Sequence, residues 1–257
     1  MSINSSTQHA SHVTMSVSKL LSRIVAPSDD MEFDSHEAMN QTLHDHTYGI
    51  TSDPLVQFAC VFSALIHDVD HTGVPNIQLV KENPSQAAQY RGRSVAEQNS
   101  VDLAWDILME SKFSALRAAI YSTREELQRF RQLVVNCVMA TDIMDKELKE
   151  LRNKRWEIAF AKDAQVTDPQ ATRNRKATIV IEHLIQASDV AHTMQHWHVY
   201  TKWNERLFQE CYQAYKDGRA EKDPTEGWYK VCTNVLSPLR SYQSKTNGRP
   251  THLTLCC

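Results

Sequence analysis

The chain has 257 residues, 41% of them apolar and 23% charged, with a mean hydropathy of -0.48; it is long enough to bury a large core and is unlike disordered, collagen-like or membrane-embedded polypeptides. A net charge of -3 at pH 7 gives no electrostatic case for a nucleic-acid or anionic-membrane partner. Six glycines and eight prolines are too few for a sandwich or barrel of many short strands, so long helices are expected.

Val13, Val17, Leu20, Leu21 and Ile24 recur at helical spacing, and Pro27 ends that helix. Residues 28–54 are polar and read as a loop with one short helix. Leu55 to Val69 is apolar nearly all round, which predicts a helix buried on most sides, stopped by the turn-forming stretch Thr72 to Asn76. Ser94-Val95-Ala96-Glu97 has the capping-box pattern and opens a helix through Glu110; Thr123-Arg124-Glu125-Glu126 repeats it for a helix reaching Leu151 or beyond. Residues 161–175, with Pro169, read as a surface loop, and Lys176 to Tyr215 as the longest helix. No repeat or linker divides the chain, so one all-α domain over residues 1–230 is expected. Val231 to Cys257 keeps no period and reads as an irregular tail.

The six cysteines form no C-x-x-C pair and no disulfide framework. The longest apolar stretch, Leu55 to Ile66, is shorter than the roughly 20 residues a membrane span needs. These features read as cytoplasmic; a segment of a longer multidomain or membrane-attached protein would read the same.

The chemistry concentrates in His67-Asp68-Val69-Asp70-His71-Thr72-Gly73-Val74-Pro75-Asn76. Four imidazole or carboxylate groups in five residues, at the end of an apolar helix, are costly to bury unpaired, and a divalent metal supplies the partner. Such carboxylates can also bridge to a second, harder ion.

This H-D-x-x-H-x-G-x-x-N stretch resembles the catalytic domain of class I 3′,5′-cyclic nucleotide phosphodiesterases. His9-Ala10-Ser11-His12-Val13 is similar to the family's H-A-x-x-V helix, Ala140-Thr141-Asp142 to its A-T-D segment and Ala187-Ser188-Asp189 to its third motif. The resemblance implies a compact all-helical fold of the His-Asp phosphohydrolase type and hydrolysis of a cyclic nucleotide to the 5′-monophosphate. It implies that His9, His67, Asp68 and Asp189 hold Zn2+, and that Asp68 bridges to Mg2+ or Mn2+. His71, Glu97 and Thr141 would orient that second ion's waters, and Asn76 and His192 are candidate pocket residues. The alternatives are another His-Asp phosphohydrolase, or a relative that binds metal without turnover.

Two features depart from the family pattern. Its general-acid histidine, four residues before the first metal-binding histidine, is replaced by Ser5; a hydroxyl does not titrate near pH 7, and His12, the one imidazole nearby, sits three residues after His9 and reads as a surface or site-flanking histidine rather than the acid. After Lys230 no helix matches the one that carries the family's purine-binding glutamine; Gln243 stands in an unrelated setting. Lys146 falls where relatives carry histidine. His44-Asp45-His46 reads as a solvated loop, and Trp197 and Trp203 as core.

Overall fold

Most helices here begin at a side-chain cap that the local sequence supplies. The computed structural model describes residues 3–24, 35–161 and 168–225, with residues 3–6 by backbone alone. Pro27, Gln243 and the tail 231–257 lie outside the described residues.

The chain divides into two units, residues 1–203 and 204–257. The first contains α1 (Ile3–Arg23), α2 (His36–His46), α3 (Pro54–Ile66), α4 (Asn76–Glu82), α5 (Pro84–Gln89), α6 (Val95–Met109), α7 (Ser114–Ile120), α8 (Arg124–Ala140), α9 (Lys146–Phe160), α10 (Pro169–Asp189) and the start of α11 (Trp197–Lys216). Among the described residues there is no strand, in agreement with the all-α expectation.

Asp53 opens α3 by accepting from the Leu55 and Val56 amides at 3.1 and 3.2 Å, with Pro54 pre-set at the first helical position. Thr123 and Glu126 form the full capping box expected for α8.

Three boundaries differ from the sequence reading. The helix from Thr123 stops at Ala140, and α9 restarts behind Asp145, whose carboxylate accepts from the Leu148 amide at 3.0 Å. Pro169 opens α10 behind the capping Asp168 instead of lying in a loop. The long helix expected from Lys176 is broken between Asp189 and Trp197 by a short 3₁₀ turn. Neither break contains glycine or proline; at the first, Asp142 bonds Ser94 and Asn76, far away in sequence. His44, Asp45 and His46 lie on α2 and not in a loop, where Arg173 donates to His44 Nε2 at 2.8 Å.

The core fills the space between α1, α3, α8 and α10. Val13, Val17, Ala59, Cys60, Ala64, Phe130, Val134, Cys137, Val138, Ile181 and Ile185 are fully buried. Phe130 is its centre: the rings of Phe62, Phe58, Trp105 and Tyr121 surround it at 5.6, 5.9, 6.0 and 6.2 Å. Helix α3 is buried or half-buried round most of its circumference, as expected, with Phe58 and Leu65, seven residues apart, on its exposed stripe.

Within the second unit, α11 ends at a left-handed Gly218 (φ +71°). That conformation lets the Arg219 amide reach the Ala214 carbonyl at 2.8 Å.

Candidate metal centre

Four buried rows of side chains run along three helices and finish at the same place. On α1, His9 lies one turn before Val13 and two before Val17. Beyond the end of α3, His67 continues the row of Ala59 and Ser63, and Asp68 that of Cys60 and Ala64. On α10, Asp189 follows Ile181 and Ile185. Helix α1 packs on both α3 and α10, and α10 on α3, so packing the apolar rows brings the polar continuations together.

His9 Nε2 is 2.9 Å from Asp189 Oδ1 and 3.6 Å from Asp68 Oδ2; His67 Nε2 is 3.5 Å from each carboxylate. His67 is 1% exposed, and its Nδ1–H donates to the Ala64 carbonyl at 2.9 Å. A carbonyl can only accept, so Nδ1 carries a proton, and a cation displacing any proton on Nε2 would find that nitrogen's lone pair aimed into the cluster. That Nε2 is buried and lacks a hydrogen-bond partner, a state that costs about 1–3 kcal/mol if left unmet. The carboxyl-terminal ends of α3 and α10 add partial negative charge to the same spot.

Burial works to lower the His67 pKa, but the Asp189 and Asp68 carboxylates, each 3.5 Å from Nε2, outweigh it and raise the pKa to about 9. Asp189 shows the converse: burial pushes its pKa up, and His67 and His9 overcome this and hold it below the usual carboxylate range. His9, His67 and Asp68 offer ligand atoms that lie within 4.8 Å of one another. Two imidazole nitrogens with carboxylate oxygens suit a divalent cation such as zinc, which would replace the proton shared in this cluster.

The loop leaving the cluster is tightly held. Asp70 takes a left-handed backbone (φ +61°) and accepts from Asn99 Nδ2 at 3.2 Å, while Ser100 Oγ donates to the Val69 carbonyl at 2.7 Å. The Gly73 amide donates to His71 Nδ1 at 3.1 Å. Farther along, Asn76 Nδ2 donates to Glu97 Oε2 at 2.9 Å and to Asp142 Oδ2 at 3.2 Å, and its Oδ1 accepts from the Ala96 amide at 2.9 Å.

The capping box expected at Ser94 and Glu97 is not formed. Ser94 is left-handed (φ +40°) and makes no cap; its Oγ donates to Asp142 Oδ2 at 2.7 Å, and the Glu97 carboxylate accepts from Asn76. Burial and the Asp142 charge raise the Glu97 pKa, against the opposing pull of Asn76 and His71. Asp142, 5% exposed, joins these groups. Sequence reasoning assigned it no role, although the Ala140-Thr141-Asp142 segment contained the signal. The hydroxyl of Thr141 donates to the Val138 carbonyl at 2.7 Å, at the end of its own helix.

With this geometry in view, comparison with known proteins is decisive. A family model described as 3′5′-cyclic nucleotide phosphodiesterase matches residues 6–235. The chain belongs to the 3′,5′-cyclic nucleotide phosphodiesterase family.

Membership implies dependence on divalent metal, for which the cluster offers a seat. The chain is 29% identical over 165 residues to the probable 3′,5′-cyclic-AMP phosphodiesterase pde-4 of Caenorhabditis elegans, covering 64% of this chain and 23% of that protein. It is 27% identical over 179 residues to the dual specificity calcium/calmodulin-dependent 3′,5′-cyclic nucleotide phosphodiesterase 1C of Mus musculus, covering 68% of this chain and again 23% of the relative. It thus spans about a quarter of the length of the curated relatives it matches. In fold it is similar to the phosphodiesterase domain of the RhoPDE fusion protein from the choanoflagellate Salpingoeca rosetta, with a TM-score of 0.61, 19% identity, and coverage of 93% of this chain and 69% of that one.

Beside this phosphodiesterase cluster stands a second group of rings. Trp203 lies 5.8 Å from His9, 5.5 Å from His12 and 6.2 Å from His192, and His192 lies 6.5 Å from His9. Trp203 therefore faces histidines rather than an apolar core, and Trp197 is 53% exposed; the core reading of both tryptophans is corrected. Burial and neighbouring imidazoles lower the pKa of His12. Burial and His9 lower that of His192, against the pull of Asp189. His183 instead packs its ring against Trp156 at 4.8 Å. A cavity of about 500 Å³ lies between α5, α6, α8 and α9, but none of His9, His67, Asp68 and Asp189 lines it. Ser5 lies on α1 one turn before His9, with its side chain outside the described set; Lys146 opens α9.

Proposed function

We propose that this chain hydrolyses a 3′,5′-cyclic nucleotide, cyclic AMP or cyclic GMP, to its 5′-monophosphate. In this reading His9, His67, Asp68 and Asp189 would hold Zn2+, and Asp68 would also serve Mg2+ or Mn2+. The observation that carries it is the buried Nε2 of His67, without a hydrogen-bond partner, between two carboxylates and a second imidazole in a chain of this family. We place residues 1–230 in the catalytic domain, with 231–257 outside it, and the chain in the cytoplasm. Among the described residues no helix is long and apolar enough to cross a membrane, and Cys60 and Cys137 are free thiols in the core.

The bound ions supply Lewis-acid polarisation of the phosphodiester and activation of water. The protein's residues supply the seat and its orientation. The Ala64 carbonyl fixes the His67 tautomer, Asp189 orients His9, and His71, Glu97 and Thr141 order solvent around the second ion. Water attacks phosphorus, the bond from phosphorus to the 3′ oxygen breaks, and that oxygen takes up a proton. Ser5 cannot donate it as an imidazole would, so solvent supplies it, at a cost of roughly 10²- to 10⁴-fold in rate.

The test is to incubate the purified chain, supplied with zinc and magnesium, with cyclic AMP or cyclic GMP and to measure 5′-nucleotide by chromatography. Product is expected, and His67→Ala or Asp68→Ala should abolish it. A chain that keeps both metals yet hydrolyses neither nucleotide would be a metal-binding relative without turnover. Hydrolysis of a phosphomonoester alone would make it another His-Asp phosphohydrolase.

A further inference from the structure

Ser94 presents a contradiction between sequence and conformation. Ser-x-x-Glu at a helix start is a strong local capping signal, and Thr123 with Glu126 shows that this chain can form such a box in full. At Ser94 both bonds are forgone, and the serine sits at φ +40°, a region unfavourable to any residue with a Cβ. Backbone strain of this kind persists where surrounding bonds over-determine it, and it gathers at functional sites.

The bonds that replace the box converge on one side chain. Asp142 Oδ2 accepts from Ser94 Oγ at 2.7 Å and from Asn76 Nδ2 at 3.2 Å, and its Oδ1 accepts from the Asp145 amide at 3.1 Å. Asn76 spends the same amide nitrogen on Glu97 and its oxygen on the Ala96 amide, one residue before Glu97. Ser94 and Asp142 are 2% and 5% exposed. Three distant segments, the loop after His71, the start of α6 and the end of α8, are thereby joined through a buried carboxylate. The network reaches the Glu97 carboxylate through Asn76, whose Nδ2 bridges it to Asp142; a formed capping box would instead pair that carboxylate with the Ser94 amide.

The geometry points to Asp142 as a positioning residue: held by Ser94 and bonded to Asn76, it fixes through Asn76 the orientation of the Glu97 carboxylate toward the His71 loop, where a second divalent ion would be coordinated. This rests on the proposed placement of that ion, and the experiment separates the two. The zinc-loaded chain is titrated with Mn2+, followed by water-proton relaxation, as wild type, Asp142→Asn, Glu97→Gln and the double variant. Asparagine keeps the shape but puts an amide where three donors converge.

Each single variant is expected to weaken Mn2+ binding by about 10- to 100-fold, the range for groups that orient ligands and bound water. The double variant should be no weaker than Glu97→Gln, because Asp142 acts only through Glu97. Ser94→Ala, which removes one donor, should shift binding in the same direction by less, and it serves if Asp142→Asn fails to fold. Losses that multiply in the double variant would overturn the proposal. So would a lower melting temperature with unchanged Mn2+ affinity, which would make the network purely structural. If the wild type takes up no Mn2+, the second-ion placement and this proposal both fail. If it binds Mn2+ as described but hydrolyses nothing, the functional reading fails and the positioning role stands.

Discussion

His9 Nε2 and Asp189 Oδ1 meet at 2.9 Å although 180 positions separate them in sequence. With His67 and Asp68 they place two imidazoles and two carboxylates in one seat. Asp189→Asn keeps the shape and removes a negative charge. It should lower zinc retention at least about 10-fold, read as zinc per chain after dialysis against a weak chelator. Unchanged retention would remove Asp189 from the seat.

The metal-free protein should respond to alkali in a defined window. Its His67 pKa is raised above 6.5 to about 9 by Asp189 and Asp68 against burial, so the stability this contributes is full below pH 6.5 and lost as pH rises through about 9. The size is on the order of 3 kcal/mol. Asp189, held below its ordinary 3.8, loses its share only as pH falls well under that value. Urea midpoints should therefore be flat from about pH 4 to 6.5 and then fall, and saturating zinc should flatten the alkaline fall. A midpoint that rises between pH 7 and 9 without metal would contradict this.

Phe130 is fully buried among four aromatic rings. Phe130→Ala should cost about 3–5 kcal/mol through lost contacts and the cavity left behind. Chemical denaturation measures it; a loss below about 1 kcal/mol would mean that the site collapses or is wet.

Ser5 lies one turn before His9 on α1. Ser5→His places an imidazole at the family's acid position, and the proposed hydrolysis should accelerate by about 10²- to 10⁴-fold. The gain should appear in kcat, with a new acid limb in the pH profile. An unchanged rate would show that proton supply to the leaving oxygen is not limiting.

Much of the centre was legible because it obeys local rules. His67 and Asp68 end an apolar helix, and Val13, Val17, Ile181 and Ile185 carry the helical period that brings His9 and Asp189 to the same end. The interruptions at residues 141–145 and 190–196 were not legible, since neither contains a glycine or proline. In the first, Asp142 is drawn into bonds with Ser94 and Asn76, partners far away in sequence. Pro169 reads as a loop residue in the sequence because its meaning depends on Asp168 capping the helix it starts. Ser94 was misread for the opposite reason: its local signal is genuine, but tertiary bonds outcompete it.

The distance along the chain between His9 and Asp189 also orders events in time. A polypeptide emerging from the ribosome presents His9 first and the His67-Asp68 pair later, but Asp189, the proposed fourth ligand, exists only once α10 has been made to its last residue. Until then the nascent protein can offer at most a three-pronged, loosely held claw, so on the proposed ligand set secure loading of a cation would be a late step in biogenesis, after the docking of α10 against α1.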